Sequence, residues 1–245
     1  MAQEISRRSL LLTLGASASG CSLPTQEVVD IDTLGTFERV PGRPGIVIGV
    51  PHGTADVGTA DIGRFLCQRL GASGVFVIGF WDGKTRQRIN VNRPTEQIIG
   101  PQSQVVREWS SDRAAAANAR YVAAVKEAAG GSLLAFYEIH SNRHAEYVGS
   151  IEVSTLGVDT AEAARFKDAF TSAIERLPSE APKLAVHVSP IDRVGYPNYG
   201  YASSIAKFSN KGCVLEHPAA ATNRAWRLAY ARCLAEAIEA ARWDA

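Results

Sequence analysis

The chain has 245 residues, with 26 Lys and Arg against 25 Asp and Glu, and 46% of its residues are hydrophobic. A formal net charge of +1 at pH 7 leaves no excess charge to attract nucleic acid or an anionic membrane, which argues against both as partners. We therefore expect a small molecule or a short peptide as the partner. The length is sufficient for one well-buried α/β domain.

The first residues have the pattern of an export signal. Arg7 and Arg8 directly precede a short apolar stretch, which runs into small residues before Cys21. The pattern predicts a twin-arginine signal over residues 1–20, and its apolar part is too short to span a bilayer. Two outcomes stay open: a bacterial lipoprotein anchored to the membrane through a lipid on Cys21, or cleavage near residues 22–25 that releases a periplasmic protein.

Composition divides the rest of the chain in two. Residues 21–44 mix proline, glycine and charges, which is typical of a tether followed by an edge strand, and residues 45–245 have the composition of a single α/β domain. The three cysteines after Cys21 lie among apolar residues without Cys-x-x-Cys spacing. A disulfide framework or a cysteine-based zinc site is therefore not expected.

Strand and helix patterns alternate along the domain. Strands are predicted over residues 46–50, 74–80, 88–92 and 133–140, and helices over about 59–71, 112–129, 159–177 and 222–243. This alternation predicts a largely parallel sheet. The segment 190–210 lacks clear periodicity and is rich in Gly, Pro, Tyr and Asn, so we interpret it as a substrate lid.

Three strand patterns end in a side chain that can bind a metal or transfer a proton. The strand over 46–50 runs into Pro-His52-Gly, the strand over 133–140 ends at His140, and a short strand from Cys213 ends at Glu216. Ligands collect at the carboxyl ends of strands in α/β sheets. Two histidines with carboxylates nearby are what a hydrolytic zinc centre requires, so a shared zinc site is predicted.

The acidic ligand has two candidates. Asp56, four residues after His52, can place a carboxylate beside the same ion and is preferred. Asp61 is the reserve, because a carboxylate at the start of a helix also has the ordinary role of complementing the helix dipole.

The other histidines have less support from the sequence. His144 could replace His140 as a ligand, donate a proton to the scissile group or face solvent. His187 lies in the middle of an apolar strand pattern and is interpreted as structural. For His217, orienting a neighbour and a surface role are equally open.

A short run after the third strand is suited to substrate binding. Asn92 and Arg93 follow interleaved polar residues and are stopped by a proline. An arginine beside a metal can bind a substrate carboxylate through two parallel hydrogen bonds, which lysine cannot reproduce. The alternative is a surface salt bridge, the role that suits Arg86 and Arg88.

These motifs together resemble a known family. PHG at His52, NVNRP at Asn92-Arg93, EIHSNRH at His140 and VLEHP at Glu216 have the order and character of the N-formylglutamate amidohydrolase family, which is more distantly similar to the zinc carboxypeptidases. The resemblance spans about residues 45–220 and implies a three-layer fold with a mixed, mostly parallel sheet. It also implies zinc held by His52, an acidic residue after it and His140.

By the same resemblance, Glu216 is the general base, and Asn92 with Arg93 binds the α-carboxylate of a small substrate. The implied function is a zinc-dependent amidohydrolase that cleaves N-formylglutamate or another N-acyl amino acid. Two alternatives remain: a metallocarboxypeptidase that acts on peptides, and a non-catalytic binding lipoprotein. A serine or cysteine hydrolase is less favoured, because Ser141 lacks the glycine pattern of a nucleophile elbow and Cys213 lies inside an apolar strand.

Overall fold

The computed structural model describes residues 33–101, 104–143, 145–195 and 205–243. The predicted export signal, Cys21, His144 and the middle of the predicted lid, residues 196–204, lie outside the described residues. In the described part of the chain, no helix combines the length and apolarity needed to cross a membrane.

The described residues form eleven strands and five α-helices. The strands are β1 (Gly35–Val40), β2 (Arg43–Val50), β3 (Ala72–Gly79), β4 (Trp81–Asp82), β5 (Gln87–Asn90), β6 (Thr95–Ile99), β7 (Val105–Ser110), β8 (Ala135–Asn142), β9 (Ser150–Leu156), β10 (Ala185–Val188) and β11 (Lys211–Pro218). The helices are α1 (Thr59–Leu70), α2 (Asp112–Ala129), α3 (Thr160–Glu175), α4 (Ala219–Thr222) and α5 (Arg227–Ala241).

Seven strands form one mixed sheet in the order β1-β3-β2-β8-β11-β9-β10. Neighbouring strands are parallel except for the pairs β1/β3 and β11/β9. One face packs against α2, and the other packs against the layer of α1, α3 and α5. The predicted fold class, an α/β structure with a mostly parallel sheet between helical layers, is confirmed.

Strand β8 shows how the sequence divides between the two faces. Tyr137 and Ile139 lie in the core under α1, α3 and α5, whereas Phe136 lies in the core under α2. Because side chains alternate along a strand, Glu138 and His140 continue on the face of Phe136. Both are buried, so this strand delivers two buried titratable groups to the α2 side of the sheet.

The second helix has the predicted bounds and caps. The Ser111 hydroxyl accepts a hydrogen bond from the Ala114 N–H at 3.1 Å, and Gly130 ends α2 in the left-handed conformation. The final helix differs from the prediction over 222–243, because α5 begins only at Arg227. The Asn223 side chain accepts hydrogen bonds from the backbone N–H groups of Ala225 and Trp226, and this local bonding competes with the helix.

A second, four-stranded antiparallel sheet, in the order β4-β5-β6-β7, was predicted only in part. The sequence predicts the strand over 88–92 but not β4, β6 or β7. Strand β7 is largely exposed, so its side chains lack the apolar alternation that marks a half-buried strand. This small sheet carries Arg88 and Asn90 toward the end of β2 and therefore matters for the site described below.

Glu96 joins this small sheet to the start of α2. Its buried carboxylate accepts hydrogen bonds from Ser111 Oγ at 2.6 Å, Gln87 Nε2 at 2.5 Å and Arg113 Nε at 2.7 Å. The hydrogen bond from Arg113, helped by those from Ser111 and Gln87, outweighs burial and lowers the pKa of Glu96 to about 2. This carboxylate is therefore more stable ionised in the folded chain than in the unfolded chain.

We expect Glu96→Gln to lower the free energy of unfolding by about 2–3 kcal/mol at pH 7. Because the folded pKa lies below the unfolded one, this contribution is complete above about pH 4.5 and is lost as the pH falls toward 2. Urea denaturation of both proteins between pH 7 and pH 3 measures the difference, with Glu239→Gln, on exposed helix surface, as the control. A difference independent of pH would contradict the assignment.

Candidate metal centre

The sheet topology brings the two predicted histidines together. Strands β2 and β8 are parallel neighbours, with Gly49 opposite Glu138, so their carboxyl ends meet. His52 follows the end of β2 in a turn, and His140 lies near the end of β8. The turn returns a carboxylate to the same place, because the Asp56 N–H donates to the His52 carbonyl at 2.7 Å.

The turn between His52 and α1 depends on a glycine. Gly58 has a φ of 91°, a conformation that other residues rarely adopt. A Cβ atom at this position would lie 2.3 Å from the Thr222 carbonyl oxygen. The turn can therefore pack against α4 only with glycine at position 58, and this packing fixes the path of residues 52–58.

Three buried side chains converge at this edge of the sheet. Asp56 Oδ2 lies 3.6 Å from His52 Nδ1 and 3.5 Å from His140 Nδ1. One donor atom from each residue lies within 4.8 Å of the other two. A tetrahedral zinc ion with bonds of 2.0–2.2 Å keeps its ligand atoms about 3.4 Å apart, so the cluster needs little adjustment to hold one. His52 Nδ1 is buried without a hydrogen-bond partner, which is the condition expected of a ligand atom.

The second nitrogen of each histidine is held by a buried polar group. His52 Nε2 lies 3.1 Å from Asn90 Oδ1, and His140 Nε2 lies 2.8 Å from Glu138 Oε1. Such contacts fix the ring orientation and leave the Nδ1 atoms facing Asp56. Neither Asn90 nor Glu138 was predicted from the sequence as part of the site. Glu138 could have been found two residues before His140 on the same face of the strand, but nothing in the sequence connects Asn90 with His52.

The charges of the cluster differ from residue to residue. Burial, with the charge of Arg88, lowers the pKa of His52 to about 4. Burial also acts to lower the pKa of His140, but hydrogen bonds to Asp56 and Glu138 outweigh it and raise that pKa to about 10. Burial would raise the pKa of Asp56, yet the two neighbouring histidines, His140 first, hold it well below its usual range. Asp56 is therefore ionised and His52 neutral, and both are suited to a cation, whereas His140 has to give up its proton before it can bind a metal.

Glu216 lies on the strand next to His140. In the parallel pair β8/β11, Glu216 is directly opposite His140, so both side chains lie on one face of the sheet. Glu216 is half-buried, and burial raises the pKa of its carboxyl to about 7, although the charge of His140 opposes the rise. A carboxylate with a pKa near neutrality can accept and return a proton at neutral pH.

Arg88 also belongs to this site. Its Nη1 lies 3.8 Å from Asp56 Oδ1, and its Nε donates to Gln97 Oε1 at 2.8 Å. Only 17% of its side chain is exposed, so the role of a surface salt bridge considered for Arg88 is wrong. Arg86 has a different environment, because its guanidinium donates to the backbone carbonyls of residues 99 and 100.

The predicted substrate-binding pair lies in the turn after β5. Asn92 Nδ2 donates to Glu138 Oε1 at 2.8 Å, while Asn92 Oδ1 is buried without a hydrogen-bond partner. Arg93 is half-buried, and its backbone N–H donates to the Asn90 carbonyl at 3.2 Å. Asn92 therefore contacts Glu138, which also contacts His140, and binding of a substrate carboxylate by Asn92 and Arg93 stays a prediction.

The remaining candidates do not join the cluster. The Asp61 side chain is 44% exposed and pairs with Arg227 at 2.6 Å. His217 points to the opposite face of the sheet from Glu216, where its Nδ1 donates to the His140 carbonyl at 3.2 Å. His187 is half-buried in β10, two strands away from Glu216.

Comparison with known proteins identifies the fold and no family. No protein-family model matches the chain, and no curated protein matches it. Among solved structures, the chain is similar to YNDL in a zinc-free apo form, with 11% identity, a TM-score of 0.52 and coverage of 86% of this chain and 92% of that one. It is also similar to gene product Atu2144 from Agrobacterium tumefaciens, with 15% identity, a TM-score of 0.51 and coverage of 86% and 96%.

A third similar structure is carboxypeptidase A from Helicoverpa armigera, with 11% identity, a TM-score of 0.46 and coverage of 86% of this chain and 68% of that one. The likeness to YNDL and Atu2144 shows that the chain shares their fold. At these levels of identity, a shared fold does not imply a shared function.

Proposed function

We propose that this protein is a zinc-dependent hydrolase that cleaves an amide bond in a small, carboxylate-bearing substrate. The observation that carries the proposal is the convergence of His52 Nδ1, Asp56 Oδ2 and His140 Nδ1, with Glu216 beside them on the next strand. Two imidazoles and one carboxylate, with a position left for water or substrate, are the ligand set of hydrolytic zinc sites.

Zinc suits these donors better than the hard cations, because magnesium and calcium prefer sets made of oxygen atoms alone. When bound, zinc supplies Lewis acidity to the scissile carbonyl and eases the deprotonation of water. The residues of the chain supply the remaining steps. Glu216 accepts a proton from the attacking water and passes it to the leaving nitrogen.

Two arginines supply positive charge at the site: Arg88 would stabilise charge that develops in the reaction, and Arg93 would orient the substrate. Arg88 lies against Asp56, where its buried guanidinium can stabilise the negative charge that develops on the carbonyl oxygen. We assign binding of the substrate α-carboxylate to Arg93, with help from Asn92. N-formylglutamate and other N-acyl amino acids have the required carboxylate next to an amide. We further propose that the protein acts outside the cytoplasm, on the basis of the twin arginines at positions 7 and 8.

The test is a combined metal and activity measurement on the chain without residues 1–20. Elemental mass spectrometry should find about one zinc per chain, and a panel of N-formyl and N-acetyl amino acids and short peptides should be hydrolysed. Dialysis against a chelator should remove the activity, and zinc should restore it. Faster hydrolysis of the longer peptides in the panel would favour the carboxypeptidase alternative. Bound zinc with no hydrolysis of any member would favour a binding protein.

Arg93→Ala should raise KM for N-acyl amino acids by about tenfold to a hundredfold, because a hydrogen-bonded ion pair with the substrate is lost. The same substrates with the carboxylate converted to an amide should be affected far less. Steady-state kinetics on each pair of substrates measures the contrast, with Arg107→Ala on the exposed strand β7 as the control. An equal rise in KM for acids and amides would remove the assigned role.

A further inference from the structure

The sheet extends the site in one direction as a row of polar side chains. Glu216 is directly opposite His140 on β8 and directly opposite Glu152 on β9, and Glu152 is opposite His187 on β10. Directly opposite residues of neighbouring strands share a face of the sheet. His140, Glu216, Glu152 and His187 therefore form one row, at a spacing of about 5 Å per strand.

The far end of this row opens into a cavity of about 390 Å³. Helix α2 packs against β1, β2 and β3, so it covers the other half of this face of the sheet. Ser150, Glu152 and His187 line the cavity from the sheet, and Glu146, Arg193 and Gly195 line it from the connecting segments. The cavity therefore begins about one strand spacing beyond the proposed base, Glu216.

The buried charge of this cavity is negative. Glu152 is only 3% exposed, and in the described part of the chain no cation forms an ion pair with it. Its two oxygens each accept one hydrogen bond, from Ser150 Oγ at 2.9 Å and from the Gly195 N–H at 2.7 Å. Each oxygen keeps capacity for a further donor. A buried carboxylate without a counter-ion is costly, and a cationic ligand group would remove that cost.

We propose that this cavity binds a positively charged side chain of the substrate, an alkylammonium or a guanidinium group, with Glu152 as its counter-ion. The exposed Arg193 and Glu146 also line the cavity and carry opposite charges. The buried Glu152 therefore determines that the cavity prefers a cation. The inference deepens the proposed function, on which it rests, because the scissile amide at Glu216 and the charged side chain would belong to one molecule.

The test compares ligands that differ in one charge. Calorimetry on the wild-type chain with free L-lysine and L-norleucine needs no turnover, since neither has a scissile bond. We expect lysine to bind about tenfold to a hundredfold more tightly, and Glu152→Gln to abolish the difference. In Glu152→Gln the amide oxygen can still accept the hydrogen bond from the Gly195 N–H, and the Ser150 hydroxyl can turn to accept one from the amide NH₂, so this variant keeps the local structure. The ratio of kcat/KM for Nα-acetyl-lysine and N-acetyl-norleucine, both with a free α-carboxylate, should change in parallel.

Arg193→Ala supplies a second variant on exposed surface. Loss of the rim cation should increase the preference for lysine by a few fold. Equal binding of lysine and norleucine by the wild type, or a preference for L-glutamate that Arg193→Ala removes, would overturn the proposal. A lysine preference that depends on Glu152 in a protein without hydrolytic activity would keep the cavity assignment and reject the hydrolase.

Discussion

Glu216→Gln should leave about one zinc per chain and lower kcat about a thousandfold, with a smaller change in KM. Glutamine has the size of glutamate but cannot accept a proton from water. Glu216 contributes no ligand atom to the cluster of His52, Asp56 and His140, so the metal should stay in place. Zinc content and steady-state kinetics on the same preparations separate the two effects.

The matched control is Glu239→Gln. Glu239 lies on the exposed surface of α5 and pairs with Arg69 at 2.9 Å. Helix α5 packs on the face of the sheet opposite to the one that carries the candidate site. The substitution Glu239→Gln makes the same chemical change as Glu216→Gln and should leave kcat unaltered. Near-normal turnover in Glu216→Gln would show that another group accepts the proton and would remove the assignment of Glu216 as base.

The strands and helices with strong periodicity were predictable because their burial is one-sided or complete. Helix α2 has both caps encoded beside it, Ser111 at the start and Gly130 at the end, and its bounds agree with the prediction. The edge of the small sheet is different. Residues 105–110 are mostly exposed, so the strand depends on its pairing with β6, and pairing between distant segments leaves no local pattern.

The candidate site shows the same division. The positions of His52 and His140 follow from two apolar strands that each end in a histidine, and Asp56 follows from its spacing to His52. The groups that orient them come from elsewhere: Asn90 is 38 residues away from its partner His52. The row through Glu216 and Glu152 depends on β11 lying between β8 and β9, an order that single strand patterns cannot give.

The other large effect is expected from substituting a histidine of the candidate metal site. His52→Ala and His140→Ala should each reduce bound zinc from about one per chain to a trace and abolish hydrolysis, because each removes one of the three candidate ligands found among the described residues. Elemental mass spectrometry after gel filtration measures the metal, and circular dichroism checks that the chain is folded. His187→Ala, a half-buried histidine on the outer strand β10, should retain its zinc.

A variant with a smaller expected effect distinguishes the metal ligands from the residues that orient them. Asn90→Ala keeps all three ligands but frees His52 Nε2 from its contact at 3.1 Å, so zinc affinity should fall by about tenfold to a hundredfold while the metal still binds at high concentration. Competition with a chromogenic chelator measures that affinity. Full zinc occupancy in His52→Ala would place the metal elsewhere in the chain. A loss in Asn90→Ala as complete as in His52→Ala would mean that Asn90 maintains the fold of the site, because a residue that only orients a ligand cannot have the same effect as the ligand.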